Sequence, residues 1–451
     1  MKKYFVILCA GLISLLASVA KAQEPFPVAG LDGIKDKAET SADYEIVDIR
    51  YDSGMYVSFT VHYLSVGADC VTPDTLSGVI TLPSMPFMFP GLWVLDNHHT
   101  VSDNASVPSS MGNTMLGQSQ VGAMAVFIAT DYYGYGLTKD KVHPYLAQKQ
   151  NARNSLDLLK VALDLLPAGG YMPSMLCNVG YSQGAGVAMA ALELLENDEA
   201  YADVIPQFGR GVYTWCGDGP YAPMVAGKDI YDHAEHEPFP GLLPHIVNGF
   251  LCSAPAELTE GLKFSDFFTD AMAGLEDVVA AKDKTNDELS AWMVIAAGGS
   301  FKLSDFFSAD MITMESPLFK KMQPWLEANS ACEGWSPKNP LYLYHLVEDD
   351  IVTFANSEHA AERLGLPAEQ FFAKHESEYE FSPANAKHTE FAPKFFEAFG
   401  LQAMGIYQST SLETIESQPA EDTPCYDLQG LRVDGSYRGF IIKNGKKLLV
   451  K

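Results

Sequence analysis

Cys177-Asn178-Val179-Gly180-Tyr181-Ser182-Gln183-Gly184-Ala185-Gly186 decides how this chain is read. The apolar run Leu176 to Gly180 has the continuous hydrophobicity of a strand buried on both faces, and the small residues after Gly184, to about Asn197, read as a helix. Between them the pattern Gly180-x-Ser182-x-Gly184 takes strand into helix through one sharp turn. Residues without a Cβ let such a turn press against both elements, leaving the serine hydroxyl exposed at the helix N-terminus. Ser182 is therefore a candidate nucleophile.

A serine hydroxyl attacks poorly unless a base takes its proton and a carboxylate orients that base. For a nucleophile on this kind of turn the partners follow in chain order acid, then histidine. Downstream, the strand-like run Leu341 to His345 leads into Glu348-Asp349-Asp350, three carboxylates competing for the acid role. His388 precedes Phe395, Phe396 and Phe399 at helical spacing and is the candidate base, with His375 as the alternative. Two backbone N–H groups must also face the developing oxyanion. One is expected from Gln183, the other from the loop Asp96-Asn97-His98-His99-Thr100 after the strand Leu92 to Leu95. The paired histidines there, and Asp232-His233-Ala234-Glu235-His236-Glu237, would bind metal only if further ligands converged. With no His-Glu-x-x-His, phosphate loop or dinucleotide fingerprint, neither a metal nor an organic cofactor is expected.

Further out, continuous apolar runs at Gly91 to Leu95, Ala123 to Ala129, Gly211 to Cys216 and Leu341 to His345 alternate with helical segments such as Leu146 to Leu166. Shorter alternating strands, Tyr44 to Arg50, Tyr56 to Leu64 and Leu76 to Leu82, come first. The pattern predicts an α/β doubly wound, mostly parallel sheet with helices on both faces and the first strands antiparallel at one edge. The interval between Cys216 and Leu341 is too long for one crossover. It is read as a helical cap, residues 220–339, dividing the core into 23–219 and 340–406. Inside it, Lys263-Phe264-Ser265-Asp266-Phe267-Phe268 is echoed by Lys302-Leu303-Ser304-Asp305-Phe306-Phe307. These read as two similar helix starts, with Ser265 and Ser304 as N-caps and the phenylalanines serving the core of the cap. A polar stretch, 407–424, reads as a linker to a small basic module, 425–451.

The 451 residues carry 30 Lys+Arg against 57 Asp+Glu, a net charge of −27, so nucleic acid or an anionic membrane surface would be repelled. Lys2 and Lys3, the apolar run Tyr4 to Val19 and the close Ala20-Lys21-Ala22 read as a secretory signal peptide over 1–22. Its run is shorter than a membrane span needs, and no later stretch reaches that length, so stable membrane insertion is not expected. Six cysteines remain, at 70, 177, 216, 252, 332 and 425, too few for a disulfide scaffold. Cys177 and Cys216 read as buried small hydrophobes, and a Cys252–Cys332 bridge is an open alternative.

These landmarks resemble the α/β-hydrolase superfamily, and within it the secreted lipase and esterase-like hydrolases of Bacteroidetes. The resemblance spans most of 44–402. It rests on His98-His99-Thr100, Asp131-Tyr132-Tyr133-Gly134-Tyr135-Gly136, His143-Pro144-Tyr145-Leu146, Gly180 to Gly184, and Gly334-Trp335 leading to His345 and Asp349. It implies an α/β-hydrolase fold with a helical cap and a small C-terminal β segment, and a triad of Ser182, His388 and Asp349. The family spacing from His345 to Asp349 and Ile351 favours Asp349 over its neighbours. It further implies an oxyanion hole at Gln183 and His99 and substrate contacts at Tyr181, His98 and Tyr133. The Asp131 to Gly136 loop reads equally as a turn needing two glycines, and His99 stands where similar enzymes tend to have glycine. The implied activity is hydrolysis of small-molecule carboxylic esters through an acyl-enzyme. The alternatives are a serine peptidase of prolyl-oligopeptidase or tripeptidyl-aminopeptidase type and, from another class, a surface-binding protein on an inactive hydrolase frame. Residues 425–451 resemble a short form of a type IX sorting module. That would make the export machinery a partner and place the chain outside the cell or on its surface, with the periplasm as alternative. Oligomeric state is not legible in the sequence.

Overall fold

Residues 30–52, 56–83, 91–112, 124–237, 239–382, 385–410, 413–415, 425–427, 432–433, 437–443 and 446–450 are described by a computed structural model. The expected signal peptide and most of the expected linker lie outside these residues. After the short helix α1 (Leu31–Glu39), three antiparallel strands follow, β1 (Tyr44–Asp52), β2 (Tyr56–Val66) and β3 (Pro73–Pro83). Six more complete the sheet: β4 (Leu92–Asn97), β5 (Val126–Thr130), β6 (Met175–Tyr181), β7 (Val212–Gly217), β8 (Leu341–Leu346) and β9 (Phe371–Lys374). Their order is β1-β2-β3-β5-β4-β6-β7-β8-β9. β3 meets β5 antiparallel, and every pairing from β5 through β9 is parallel. The expected strands form, with the antiparallel ones at one edge. β9 is the strand that the sequence reading missed. Four residues at a sheet edge, none of them fully buried, are too few to carry a period.

Every residue of β4, β5 and β6 is buried, because helices cover both faces of the sheet. Alternate residues divide between two cores. Trp93, Leu95 and Leu176 face α2 (Gln148–Leu165) and α3 (Gln183–Asn197). Leu92, Val94, Cys177 and Val179 face the opposite side with Phe391, Phe395 and Phe399.

Between β7 and β8 lie α4 (Pro223–Asp232), α5 (Leu243–Ser253), α6 (Leu275–Ala281), α7 (Asn286–Ala296) and α8 (Pro317–Ala328). They enclose a core of their own, with Phe250, Phe267, Met293, Phe306 and Trp325 at its centre and Tyr145 and Leu146 inserted from the sheet side. The two echoing segments are not helix starts capped by serine. Each is a single turn, Phe264–Phe267 and Leu303–Phe306, whose N-cap positions are Lys263 and Lys302. Asp266, at the third position of its turn, accepts the Lys263 N–H at 2.8 Å, the half of a capping box that an acid supplies. The segments pair with each other through a Phe268–Phe307 bridge, with Ser308 N–H donating to Phe267 C=O at 3.0 Å, so their phenylalanines do build the cap core.

After β8 come α9 (Phe354–Leu364) and α10 (Lys387–Thr410). α10 runs four residues into the stretch expected as a linker. Glu413–Ile415 (β10) then joins a second sheet with Cys425–Asp427 (β11), Arg432–Val433 (β12), Gly439–Lys443 (β13) and Lys446–Val450 (β14), in the order β10-β14-β13-β11-β12. Cys252 and Cys332 are not bridged, and Cys177 and Cys216 are buried within strands.

Candidate active site

The C-terminal end of β6 places Ser182 at the junction with α3. Its φ of 56° and ψ of −125° lie in a region that side-chain-bearing residues avoid, and the strain is imposed by the neighbours. A Cβ on Gly180 would stand 2.0 Å from the Gly184 carbonyl oxygen, and one on Gly184 would stand 1.9 Å from that of Asn97. Only glycine at both positions lets strand, turn and the β4 exit loop touch. Ser182 N–H extends the β6–β7 ladder to Gly217 C=O at 2.9 Å, and its carbonyl accepts Ala185 N–H at 2.9 Å. Gln183 opens α3, where the first N–H groups of a helix have no intrahelical acceptor and the dipole favours negative charge.

His388 sits in the first turn of α10, buried, and lines the same cavity as Ser182. Its Nδ1 meets Asp349 Oδ2 at 2.5 Å. A carboxylate only accepts, so Nδ1 carries the hydrogen and Nε2 is left as the basic nitrogen. The Asp349 side chain is fully buried. Its Oδ1 accepts the N–H groups of Ile351 at 2.7 Å and Val352 at 2.8 Å. Burial raises the affinity of this carboxyl for a proton, but the His388 charge and hydrogen bond prevail and hold it at about 2. The other two carboxylates of the loop are used elsewhere. Asp350 accepts the N–H groups of Lys387 at 3.0 Å and His388 at 3.2 Å, capping α10. Glu348 pairs with His375 Nδ1 at 3.1 Å on the exposed surface, which removes His375 as a base for Ser182.

The cavity measures about 650 Å³, and its lining includes His99, Tyr181, Phe239, Leu242 and Asn286. A second cavity of about 90 Å³ also reaches Ser182 and runs into the cap among Ile230, Leu243, Phe319 and Leu326, with Glu237 its acidic residue. The β4 exit loop is tied to the cap. Asn286 Nδ2 donates to Thr100 C=O at 2.7 Å, and the Ser102 hydroxyl contacts both Asn286 and His245. His99, half-buried on this loop, is pushed down to about 4 by burial and by the neighbouring His98 and His388, so its ring is neutral.

His98 and Tyr133 are not brought into the cavity. His98 is buried behind it, its ring 4.2 Å from that of Tyr132 and its Nδ1 on His99 C=O at 2.7 Å. Tyr133 turns toward Gly67, in the connection between β2 and β3, within 3.6 Å of where a Cβ there would stand. Both were expected to touch substrate; both hold loops instead. In the Asp131 to Gly136 loop Asp131 is fixed by the hydroxyl of Ser77 at 2.5 Å and the N–H of Ser109 at 2.8 Å, and Gly134 and Gly136 have φ of 93° and 55°. The two-glycine turn is therefore what the segment supplies. Its neighbour His143 receives the Gln183 amide on Nε2 at 2.8 Å while Nδ1–H donates to Tyr133 C=O at 2.8 Å, bracing the residue after Ser182.

One residue of the site escaped the sequence reading. Asp218, directly after β7 and fully buried, lies beside Asp349 and 4.0 Å from His388 Nδ1. The signal was present, since an acid following an apolar strand is the pattern that pointed to Glu348, Asp349 and Asp350. Asp218, His345 and Asp349 have the spacing of metal ligands, but His345 is occupied on both nitrogens, by Ser357 at 2.7 Å and Val352 C=O at 3.0 Å, and Asp349 by His388. In a second cluster, Cys332, Glu333 and His359, the carboxylate is already held by Arg363.

No family model and no curated protein matches the sequence. Among solved structures the chain is similar to the rice cell wall degrading esterase LipA from Xanthomonas oryzae, with a TM-score of 0.60 and 18% identity over 83% of this chain and 95% of that one. It is also similar to Candida antarctica lipase A in its closed state, with a TM-score of 0.53 and 17% identity over 86% of each chain. The architecture is the α/β-hydrolase fold with a cap and a small C-terminal sheet.

Proposed function

We propose that this protein is a carboxylic-ester hydrolase working through an acyl-enzyme on Ser182. The observation that carries the reading is one cavity wall holding Ser182 on a strained turn at a helix N-terminus and His388 with Nδ1 committed to the buried Asp349. Ser182 Oγ attacks the ester carbonyl carbon while His388 Nε2 takes its proton. Asp349 fixes the imidazole and stabilises the imidazolium. The N–H of Gln183, joined by that of His99, faces the oxyanion. The alcohol leaves with the proton from His388, and water activated by the same nitrogen then releases the acid. The narrow apolar cavity suits the acyl chain and the larger one the alcohol part. The chain is read as exported, with 1–22 removed and 425–451 addressed to the export machinery. Mass spectrometry of the protein recovered outside the cytoplasm, starting at Gln23, is the expected outcome, and a retained N-terminus would remove this part.

Labelling with a fluorophosphonate tests the chemistry. One probe per chain is expected on Ser182, none in Ser182→Ala, and ester turnover should fall by roughly 10⁴-fold or more in that variant. In Asp349→Asn the fall should be about 10⁴-fold in kcat, because the imidazole takes the wrong tautomer. A folded wild-type protein that takes up no probe would sink the reading.

A further inference from the structure

We propose that Asp218 is held as a neutral carboxylic acid at neutral pH, and that its proton closes a chain from Asp218 through Tyr181 to the backbone of His388, making Asp218 a positioning residue of the site. Its protonation stands on hydrogen-bond geometry and on its burial beside Asp349, and its role rests on the ester-hydrolase reading.

Tyr181 Oη lies 2.6 Å from the His388 carbonyl oxygen and 2.6 Å from Asp218 Oδ2. A carbonyl can only accept, so the single phenolic hydrogen belongs to the His388 contact. The second contact at the same length then needs a hydrogen from Asp218. Were the carboxyl ionised, either that contact or the one to His388 would set lone pair against lone pair at 2.6 Å. One hydrogen shared between two acceptors would be bent toward both and would not hold both short.

Asp218 also hydrogen-bonds Asp349, and a contact between two carboxyls itself needs a hydrogen on one of them. Asp218 Oδ1 accepts Leu346 N–H at 3.0 Å and is 3.5 Å from His345 Nδ1. His345 Nε2 donates to Val352 C=O at 3.0 Å, and burial pushes this imidazole down to about 4, so it is neutral and its Nδ1 is the acceptor of the Ser357 hydroxyl. The remaining titratable neighbours are Tyr221, from the turn after β7, Tyr181 from β6, Asp349 after β8 and His388 from α10. Asp349 is ionised and paired with His388. Burial first, and then repulsion by Asp349, drive the Asp218 carboxyl far above the usual carboxylate range. Adjacent carboxyls pushed in opposite directions divide the two roles, one charged and one neutral.

The consequence concerns the base. Tyr181 immediately precedes Ser182, so the chain Asp218–Tyr181–His388 C=O ties the start of α10 to the strained turn. An ionised Asp218 would draw the phenolic hydrogen away from His388 and place a second negative charge 4.0 Å from Nδ1, competing with Asp349 for the imidazole N–H.

Infrared difference spectroscopy reads the proton directly. At about pH 9 Glu237 and Asp131, pushed up by burial to about 7 and about 6, are ionised. A protonated-carboxyl C=O band is expected in the wild type and in Ser182→Ala, lost in Asp218→Asn, and shifted but retained in Tyr181→Phe. Kinetically, Asp218→Ala should lower kcat by roughly 10- to 100-fold with little change in KM. Asp218→Asn, whose amide can donate to Tyr181 in the same place, should restore most of that loss and leave the lower limb of the kcat/KM profile in position. No band lost in Asp218→Asn, or a limb displaced by a unit or more, would overturn the proposal. A band present in a protein that takes up no fluorophosphonate would instead keep the protonated Asp218 and remove the hydrolase reading.

Discussion

Glu348, Asp349 and Asp350 are consecutive, chemically near-identical, and end in three different jobs: a surface pair with His375, the partner of His388, and the cap of α10. Sequence could rank them by family spacing but could not separate them by physics, because what separates them is which oxygen meets which N–H. The same holds for Glu237. Nothing in its acidic surroundings in sequence distinguishes it, yet it is 6% exposed and lines the narrow cavity. Burial, with Asp229 adding to it against Phe239 N–H and His233, raises its carboxyl to about 7. The folded state therefore binds this proton more tightly than the unfolded chain, whose group titrates at 4.5. Its stabilising contribution is complete below about pH 4.5 and is lost as pH rises through about 7. Thermal unfolding followed from pH 4 to 8 should show the midpoint of Glu237→Gln gaining on the wild type toward the alkaline end. Parallel curves would show that the carboxyl is not held neutral.

At the scale of elements, the turn between β6 and α3 was the most legible feature, because its glycines are required by contacts within the motif and by one strand beside it. Gly184→Ala would drive a Cβ into the Asn97 backbone oxygen at 1.9 Å and that of His98 at 2.7 Å, neither of which can swing aside as a side chain would. Denaturant unfolding should show a loss of about 3 kcal/mol or more. Gly405→Ala, in the exposed part of α10 with nothing within 4 Å, should gain up to about 1 kcal/mol. Equal effects at the two sites would mean that the close approach of β4 and α3 does not hold. The doubled Lys-x-Ser-Asp motif misled at this scale. Its serines fit an N-cap rule, but each segment is a single turn that opens after the lysine, which leaves Ser265 and Ser304 inside it.

Across the whole molecule, one lysine clamps cap to core. Lys282, at the end of α6, reaches the carbonyls of Gly134, Lys139 and Lys141, and its own carbonyl accepts Asn104 N–H at 2.8 Å. Loss of water lowers its ammonium to about 8, yet three carbonyl acceptors hold it in place. Lys282→Met should leave those acceptors without a donor. Hydrogen exchange is expected to speed up in both 134–141 and 275–282 while the central strands keep their protection. Faster exchange in the cap segment alone would mean that the clamp does not couple the two halves.

From its sequence the chain determined the order of the strands from β1 to β8 and of the helices between them, the Ser182 turn, the cap between β7 and β8, and Ser182, Asp349 and His388 as the residues to watch. Strands, turn and cap rest on periodicity, glycine placement and spacing along the chain, which local physics fixes, whereas the choice of Asp349 among three carboxylates rested on the resemblance to a family. Tertiary structure alone decided which histidines face the cavity, that His98 and Tyr133 brace loops, that Glu237 lies in an apolar pocket, and that Asp218 lies beside Asp349. Those outcomes depend on which hydrogen-bond donors and how much water surround a side chain once distant segments meet, and a linear pattern holds no record of that.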